Sequence, residues 1–124
     1  MDDRRRDQES PDEATYEKVL ALIGLARRAG RLAVGATAVE KMVRGGERPV
    51  VLVAEGTSEQ QRRKWLALSP VRGFIAQGIG RDALARRLGR GDLTVVAVAD
   101  RGFVSGLVDL GVVTDPREDS AASR

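Results

Sequence analysis

The sequence predicts an α/β protein, a three-layer α/β/α sandwich around a mixed, mostly buried four-stranded sheet. Residues 49–54 and 93–99 form apolar runs rich in valine, which are typical of strands that are covered on both faces. Segments with the apolar spacing of helices alternate with these runs along the chain. The 124 residues suffice for one domain, whose core must be mainly aliphatic because only 3% of the residues are aromatic.

The first helix is predicted over residues 16–29, where apolar residues recur at the spacing of one helix face. Thr15 is the expected N-cap of this helix, and Gly30 is expected to end it. Residues 31–34 then form a short strand or an extended link.

The second helix is predicted to be short and to begin with a capping box. In this motif the Thr37 hydroxyl accepts the backbone N–H of Glu40, whose side chain reaches back to the start of the helix. Gly45 and Gly46 are expected to end the helix before the strand over residues 49–54.

The second half of the chain continues the alternation of helices and strands. The predicted elements are a helix over 58–68, a strand over 71–76, a helix over 82–88, a strand over 93–99 and a last helix over 102–110. Ser58 is the expected N-cap of the first of these helices because Gln61 follows three residues later.

Charge is distributed unevenly along the chain. Residues 1–15 and 114–124 are polar and more acidic than basic, and we expect them to be disordered tails that flank a single domain over 16–113. This domain carries 16 basic and 9 acidic residues, whereas the net charge of the whole chain is +3. A basic domain favours a polyanionic partner, although a solvated, arginine-rich surface would have the same composition.

The chain contains neither cysteine nor histidine. This composition excludes disulfides, Cys/His metal sites, cysteine nucleophiles and Ser-His-Asp triads. No apolar run approaches the ~20 residues of a membrane span, and residues 1–15 are too charged for a signal peptide. We therefore expect a cytoplasmic protein that has no membrane partner, is not an enzyme and binds no metal or cofactor.

The start of the second helix is the first candidate for a binding site. Backbone N–H groups at a helix start, next to Gly35, suit a phosphate, and Lys41 and Arg44 would lie about one turn apart on one face. The same residues would equally form an ordinary turn and a solvated helix face, and caps are commoner than anion sites.

The turn after the last strand is the second candidate, because ligands of open α/β sheets bind beyond the carboxyl ends of strands. There Arg101 would contact phosphate, and Gly102 and Phe103 would make apolar contacts. Asp100 is expected to cap the last helix, since a lone carboxylate does not indicate catalysis.

Five segments in order along the chain resemble the kink-turn-binding ribosomal protein superfamily, in particular its bacterial YlxQ-like branch. These segments are 25–31, 35–45, 49–55, 84–89 and 95–103. The resemblance covers about residues 16–111 and implies an α/β/α sandwich that binds bent RNA through the start of the second helix and the loop after the last strand. The implied contacts are Arg31, Gly35, Ala36, Thr37, Lys41, Asp100, Arg101, Gly102 and Phe103, to which the charge pattern adds Arg44.

Two positions depart from the motif of this superfamily. Its kink-turn readers carry Gly-x-Asn-Glu-x-x-Lys, in which Asn and Glu read tandem sheared G·A pairs, whereas this chain has Thr37 and Ala38. Because contacts to base edges carry sequence specificity, we expect weak or altered specificity.

We therefore interpret the chain as a monomeric RNA-binding protein of the ribosome or translation apparatus, whose partner is a structured RNA such as ribosomal RNA. The alternatives are a module that docks on a ribosomal protein or translation factor, and a substrate-binding domain that acts in trans with an RNA-modifying enzyme.

Overall fold

Helices and strands alternate throughout the computed structural model, which describes residues 13–67, 71–75, 78–91 and 93–114. In order, the elements are α1 (Glu13–Arg28), β1 (Leu32–Val34), α2 (Ala36–Arg44), β2 (Val50–Val53), α3 (Glu59–Leu66), β3 (Gly73–Ile75), α4 (Arg81–Leu88), β4 (Val95–Val98) and α5 (Arg101–Asp109). The predicted α/β class is confirmed. None of the described helices combines the length and the apolar character that crossing a membrane requires.

The strands lie side by side in the order β1-β4-β2-β3. At the centre, β4 is antiparallel to both β1 and β2, with Val98 opposite Leu32 and Val95 opposite Val53. The three-residue β3 pairs with the outer side of β2 in parallel. The carboxyl ends of β1 and β2 therefore lie beside the amino end of β4.

Two opposite edges of the sheet need names, because the candidate site residues are divided between them. The β4-start edge is formed by residues 34–35, 54–55 and 93–95. The β4-end edge is formed by residues 31–32 and 98–100 together with the amino end of β2.

Helices cover both faces of the sheet, and every side chain of β2 and β4 is buried. Val50 and Leu52 of β2 belong to a core cluster with residues of α1, α4 and α5. Val51 and Val53 belong to a second cluster with α2 and α3, which includes the fully buried Trp65. Successive side chains of each strand point to opposite faces of the sheet, and both faces are covered. Both strands are therefore apolar without interruption, as the sequence predicted.

The first helix begins earlier than the sequence predicted. Its described part starts at Glu13, so Thr15 lies within the first turn and is not the N-cap. Gly30 does end the helix, with a φ of +73° and an N–H that donates to the Arg27 carbonyl at 3.0 Å. Residues 1–12 and 115–124, where we predicted most of the two tails, lie outside the described residues.

The predicted capping box at the second helix is wrong. The N-cap of α2 is Gly35, with φ +92° and ψ 162°, and no side chain accepts a hydrogen bond from this helix start. Thr37 is exposed and already lies in the first turn, two residues past the cap. The side chain of Glu40 instead pairs with Lys64 of α3, with 2.5 Å between Oε2 and Nζ.

The caps predicted for α3 and α5 are confirmed. Ser58 Oγ accepts the N–H of Gln61 at 3.2 Å, and Asp100 Oδ1 accepts the N–H of Gly102 at 3.0 Å. α3 ends at Leu66, and the predicted end of this helix lies outside the described residues.

Candidate functional site

The residues predicted to bind RNA lie at opposite edges of the sheet. Gly35 is at the β4-start edge, where its N–H donates to the Val95 carbonyl at 2.9 Å. Asp100 is at the β4-end edge, where Arg31 Nε lies 3.8 Å from its Oδ2. The two positions are separated by on the order of 15 Å along β4. The two candidate sites therefore do not adjoin, because β1 and β4 are antiparallel and their carboxyl ends point in opposite directions.

At the β4-start edge, α2 presents backbone N–H groups that no side chain of the described residues caps. Ala36 and Thr37, the first two residues of the helix, are exposed. An open helix start combines free N–H donors with the positive end of the helix dipole, which is the arrangement that binds phosphate. Gly35 keeps the backbone accessible at this point because it has no side chain.

A second open helix start lies at the same edge. Gly80 is the N-cap of α4, and within the part of the chain that the structure describes no side chain caps this helix either. Gly80 forms a parallel bridge with Glu55, whose N–H donates to the Ile79 carbonyl at 2.7 Å. A cleft of about 500 Å³ opens here, lined by Glu55, Gly80, Arg81, Asp82, Ala85 and Gly91.

Arg90 lies beside the start of α2 and was missed by the sequence analysis. Its Nη1 donates to the Val34 carbonyl at 3.4 Å, and its Nη2 lies 3.8 Å from where a side chain of Gly35 would begin. Arg90 follows the carboxyl end of α4, whereas the amino end of α4 lies beside Glu55. α4 therefore crosses the β4-start edge from the side of β2 to the side of β1, and it carries Arg90 to the start of α2.

The loop after β4 differs from these two helix starts because a carboxylate occupies it. Asp100 Oδ1 accepts the N–H groups of both Gly102 and Phe103, at 3.0 and 3.4 Å. The negative charge stands where a phosphate would bind at an open helix start. Phe103 is half-buried against the core cluster of α1, α4 and α5, and only Arg101 and Gly102 are exposed.

A separate cleft of about 390 Å³ lies between α2 and the β4-end edge. Its charged residues are two bases, Arg31 and Lys41, and two acids, Glu47 and Asp100. The charges of this cleft balance, and Arg31 already lies beside Asp100. The cleft at the β4-start edge is not more basic, because Glu55 and Asp82 line it together with Arg81. The preference for the β4-start edge therefore rests on the open start of α2 and on Arg90.

Lys41 and Arg44 do not act together on α2. Lys41 lines the cleft at the β4-end edge, whereas Arg44 Nη2 lies 3.9 Å from Glu40 Oε1 on the side that faces α3. The hydrogen bond and charge of Lys64, with a further contribution from Arg44, hold the pKa of the Glu40 carboxyl below its ordinary value. Lys64 Nζ also lies 5.1 Å from the centroid of the Trp65 ring, so this cluster joins α2 to α3.

Comparison with known proteins gives two informative structural matches. No protein-family model matches the chain, and neither does any curated protein. A protein with unknown function from Bacillus halodurans is 30% identical over 74% of this chain and 94% of its own, with a TM-score of 0.66. The Giardia lamblia 15.5kD RNA binding protein is 18% identical over 80% of this chain and 86% of its own, with a TM-score of 0.61, and thus has the same fold.

Proposed function

We propose an RNA-binding, non-enzymatic function for this chain, which belongs to the same family as the Bacillus halodurans protein. The observation that carries the proposal is the β4-start edge, where the open start of α2 lies beside Arg90 and the open start of α4 lies further along the same edge. The fold shared with the Giardia lamblia RNA binding protein supports RNA as the polyanion. The excess of basic over acidic residues in the domain supports it as well.

In this proposal, one RNA phosphate accepts hydrogen bonds from the first N–H groups of α2, and Arg90 contacts a neighbouring phosphate. Thr37 belongs to the same site, because its exposed hydroxyl is not used as a cap and is available to an RNA base or ribose. Ala38 has no such group, so the shape of the RNA backbone contributes more than base contacts. Lys41 lies outside this site, in the cleft at the β4-end edge.

The cleft at the start of α4 completes the site at the β4-start edge. Arg81 and the open start of α4 lie at its mouth, and Glu55 supplies a carboxylate acceptor for base or ribose donors. A site that combines phosphate contacts with a cleft fits a sharply bent RNA better than a regular duplex. The order of the sequence segments supports the finer proposal of a YlxQ-like protein of the ribosome or translation apparatus with a kink-turn-like RNA as its partner. We propose that it acts as a monomer.

The test is a binding titration with a bent RNA, which has tandem G·A pairs and a bulge, and with a duplex of equal length, at two salt concentrations. We expect tighter binding of the bent RNA and a steep loss of affinity with salt, because phosphate contacts release counterions. The variant Arg90→Gln is expected to weaken binding and to lower the slope of log affinity against log salt by about 1.

Arg48→Gln is the matched control, since Arg48 is an exposed arginine near the β4-end edge, adjacent to the start of β2. If the folded Arg90→Gln protein binds RNA as the wild type does while the wild type prefers bent RNA, the site lies elsewhere. If the wild type binds neither RNA, the proposed function is wrong.

The alternative is a module that docks on a ribosomal or translation-factor protein. Two large apolar side chains on the outer helices favour it, because Leu25 of α1 and Val108 of α5 are each 52% exposed. An interface built on such residues should be insensitive to salt, which distinguishes it from RNA binding in the same titration.

A further inference from the structure

Beside the β4-start edge, the chain carries more positive charge than the proposed site uses. Residues 26–30, at the end of α1, contain two basic residues and no acidic residue, and residues 83–91 contain three basic residues and no acidic residue. The last turns of α1 and α4 meet at this point. We define the arginine flank as Arg27, Arg28, Arg86, Arg87 and Arg90.

Three of these arginines are held in place by neighbours on other elements. Arg27 Nη1 donates to the Leu88 carbonyl at the end of α4, which ties the last turns of α1 and α4 together. Arg87 Nη2 pairs with Glu17 Oε1 at 3.1 Å, and its aliphatic part lies over Gly24 of α1. Arg90 donates to the Val34 carbonyl at the end of β1.

The other two arginines, Arg28 and Arg86, are exposed. Among the described residues, neither Arg28 nor Arg86 has a hydrogen bond or an ion pair through its side chain. Among the described residues, Glu17 is the one acid that forms an ion pair with an arginine of the flank.

Favourable interaction with the helix dipole explains a basic residue at the end of one helix. It does not explain why two basic helix ends are packed together close to the open start of α2. Like charges repel, so this arrangement favours a state in which a polyanion covers the flank.

We infer that the arginine flank binds the phosphate backbone of a double-stranded RNA stem that continues from the RNA segment held at the β4-start edge. The inference rests on the proposed function and adds the form of the RNA that the protein selects. Residues 17–39 and 80–91 contain no aromatic residue, so the flank has no platform on which single-stranded bases would stack. Arginines on two rigid helix ends instead match a regular backbone, which is how duplex RNA is recognised.

Arg90 belongs both to the β4-start edge and to the arginine flank, and it determines where the stem leaves the site. The proposed phosphate at the start of α2 lies on one side of Arg90, and the rest of the flank lies on the α1 side. One of the two stems of a bent RNA would therefore cross the last turns of α4 and α1, whereas the other stem would not touch the flank.

The experiment uses the full chain with the double substitution Arg28→Gln and Arg86→Gln. Both side chains are exposed and lie outside the proposed phosphate and cleft contacts. The matched control is Arg48→Gln with Arg72→Gln, two exposed arginines near the β4-end edge, where the N–H of Arg72 donates to the Pro49 carbonyl at 2.8 Å. The probes are one bent RNA with two long stems and two versions in which one stem or the other is cut to its closing base pairs.

We expect the Arg28/Arg86 variant to bind the long-stemmed RNA roughly tenfold more weakly at physiological salt and to lower the salt slope by about 2. Shortening one particular stem should remove this difference, whereas shortening the other should leave it. The control variant should bind all three RNAs as the wild type does, and thermal melts should show that both variants are folded.

An equal loss on all three RNAs, or no loss on any, overturns the inference. In either case, the proposed function still holds if the wild type binds the RNAs with shortened stems. If the wild type binds none of the RNAs, the proposed function and this inference are both wrong.

Discussion

Gly35 illustrates how one residue shapes the candidate site. Its φ of +92° allows the chain to turn from β1 into α2 while its N–H bonds to Val95 at the start of β4. A side chain at this position would meet no atom closer than 3.8 Å, so backbone strain and not crowding selects glycine. The conformation aims the open start of α2 towards Arg90 and solvent.

Replacing Gly35 with alanine should therefore destabilise the protein by about 1–2 kcal/mol, because an L-residue is strained at this φ. The measurement is chemical denaturation of the variant and the wild type. Gly91→Ala is the control, since Gly91 has open space around it and does not have a left-handed φ. A Gly35 variant as stable as its control would contradict the strain argument.

Thr37 and Ser58 allow a direct comparison of two hydroxyl residues near helix starts. Ser58→Ala should cost about 1 kcal/mol of unfolding free energy, because the Ser58 hydroxyl caps α3. Thr37→Ala should cost much less, since the Thr37 hydroxyl caps nothing, but it should weaken RNA binding. Denaturation and RNA titration of both variants test this, and a Thr37 variant as unstable as the Ser58 variant would mean that Thr37 is a cap.

At the scale of elements, α2 and α3 are joined by a small charged cluster over the sheet. Glu40 accepts from Lys64, which also contacts the ring of Trp65, the fully buried residue of α3. Arg44 adds a second cation beside the same carboxylate. The cluster therefore orients α2 and its open start relative to the rest of the domain.

The lowered pKa of Glu40 predicts a dependence of stability on pH. A carboxyl whose pKa is lower in the folded state stabilises the protein above its unfolded pKa, and this contribution is lost as the pH falls through the folded pKa. Between about pH 5 and pH 3, the wild type should thus lose more unfolding free energy than Glu40→Gln. The check is denaturation across this range with Glu47→Gln as the control, and parallel curves for the wild type and the Glu40 variant would contradict the prediction.

At the scale of the whole molecule, the two edges of the sheet have different electrostatic character. The β4-start edge has two open helix starts, Arg90 and a cleft lined by Glu55, Arg81 and Asp82, and the arginine flank lies next to the start of α2. The β4-end edge has a carboxylate-capped helix start and a cleft in which two acids balance two bases. A net charge of +3 conceals this asymmetry, which is why the charge count alone did not locate the site.

Local patterns predicted what depends on neighbours in sequence. The apolar runs of β2 and β4, the cap at Ser58 and the cap at Asp100 all have local causes, and the structure confirms them. The cap expected at Thr37 failed because the start of α2 is fixed by a hydrogen bond from Gly35 to a residue sixty positions further along the chain. A short pattern of side chains does not contain such information.

The sequence by itself determined an α/β domain with aliphatic central strands, a basic surface and no cysteine or histidine chemistry. Only the tertiary structure decided which basic residues share an edge. The antiparallel pairing of β1 with β4 separated Gly35 from Asp100, and the path of α4 brought Arg90 to the start of α2, 56 residues from its partner Val34. The physical reason is that strand direction and helix crossing follow from packing of the whole core, whereas burial and capping are properties of short segments.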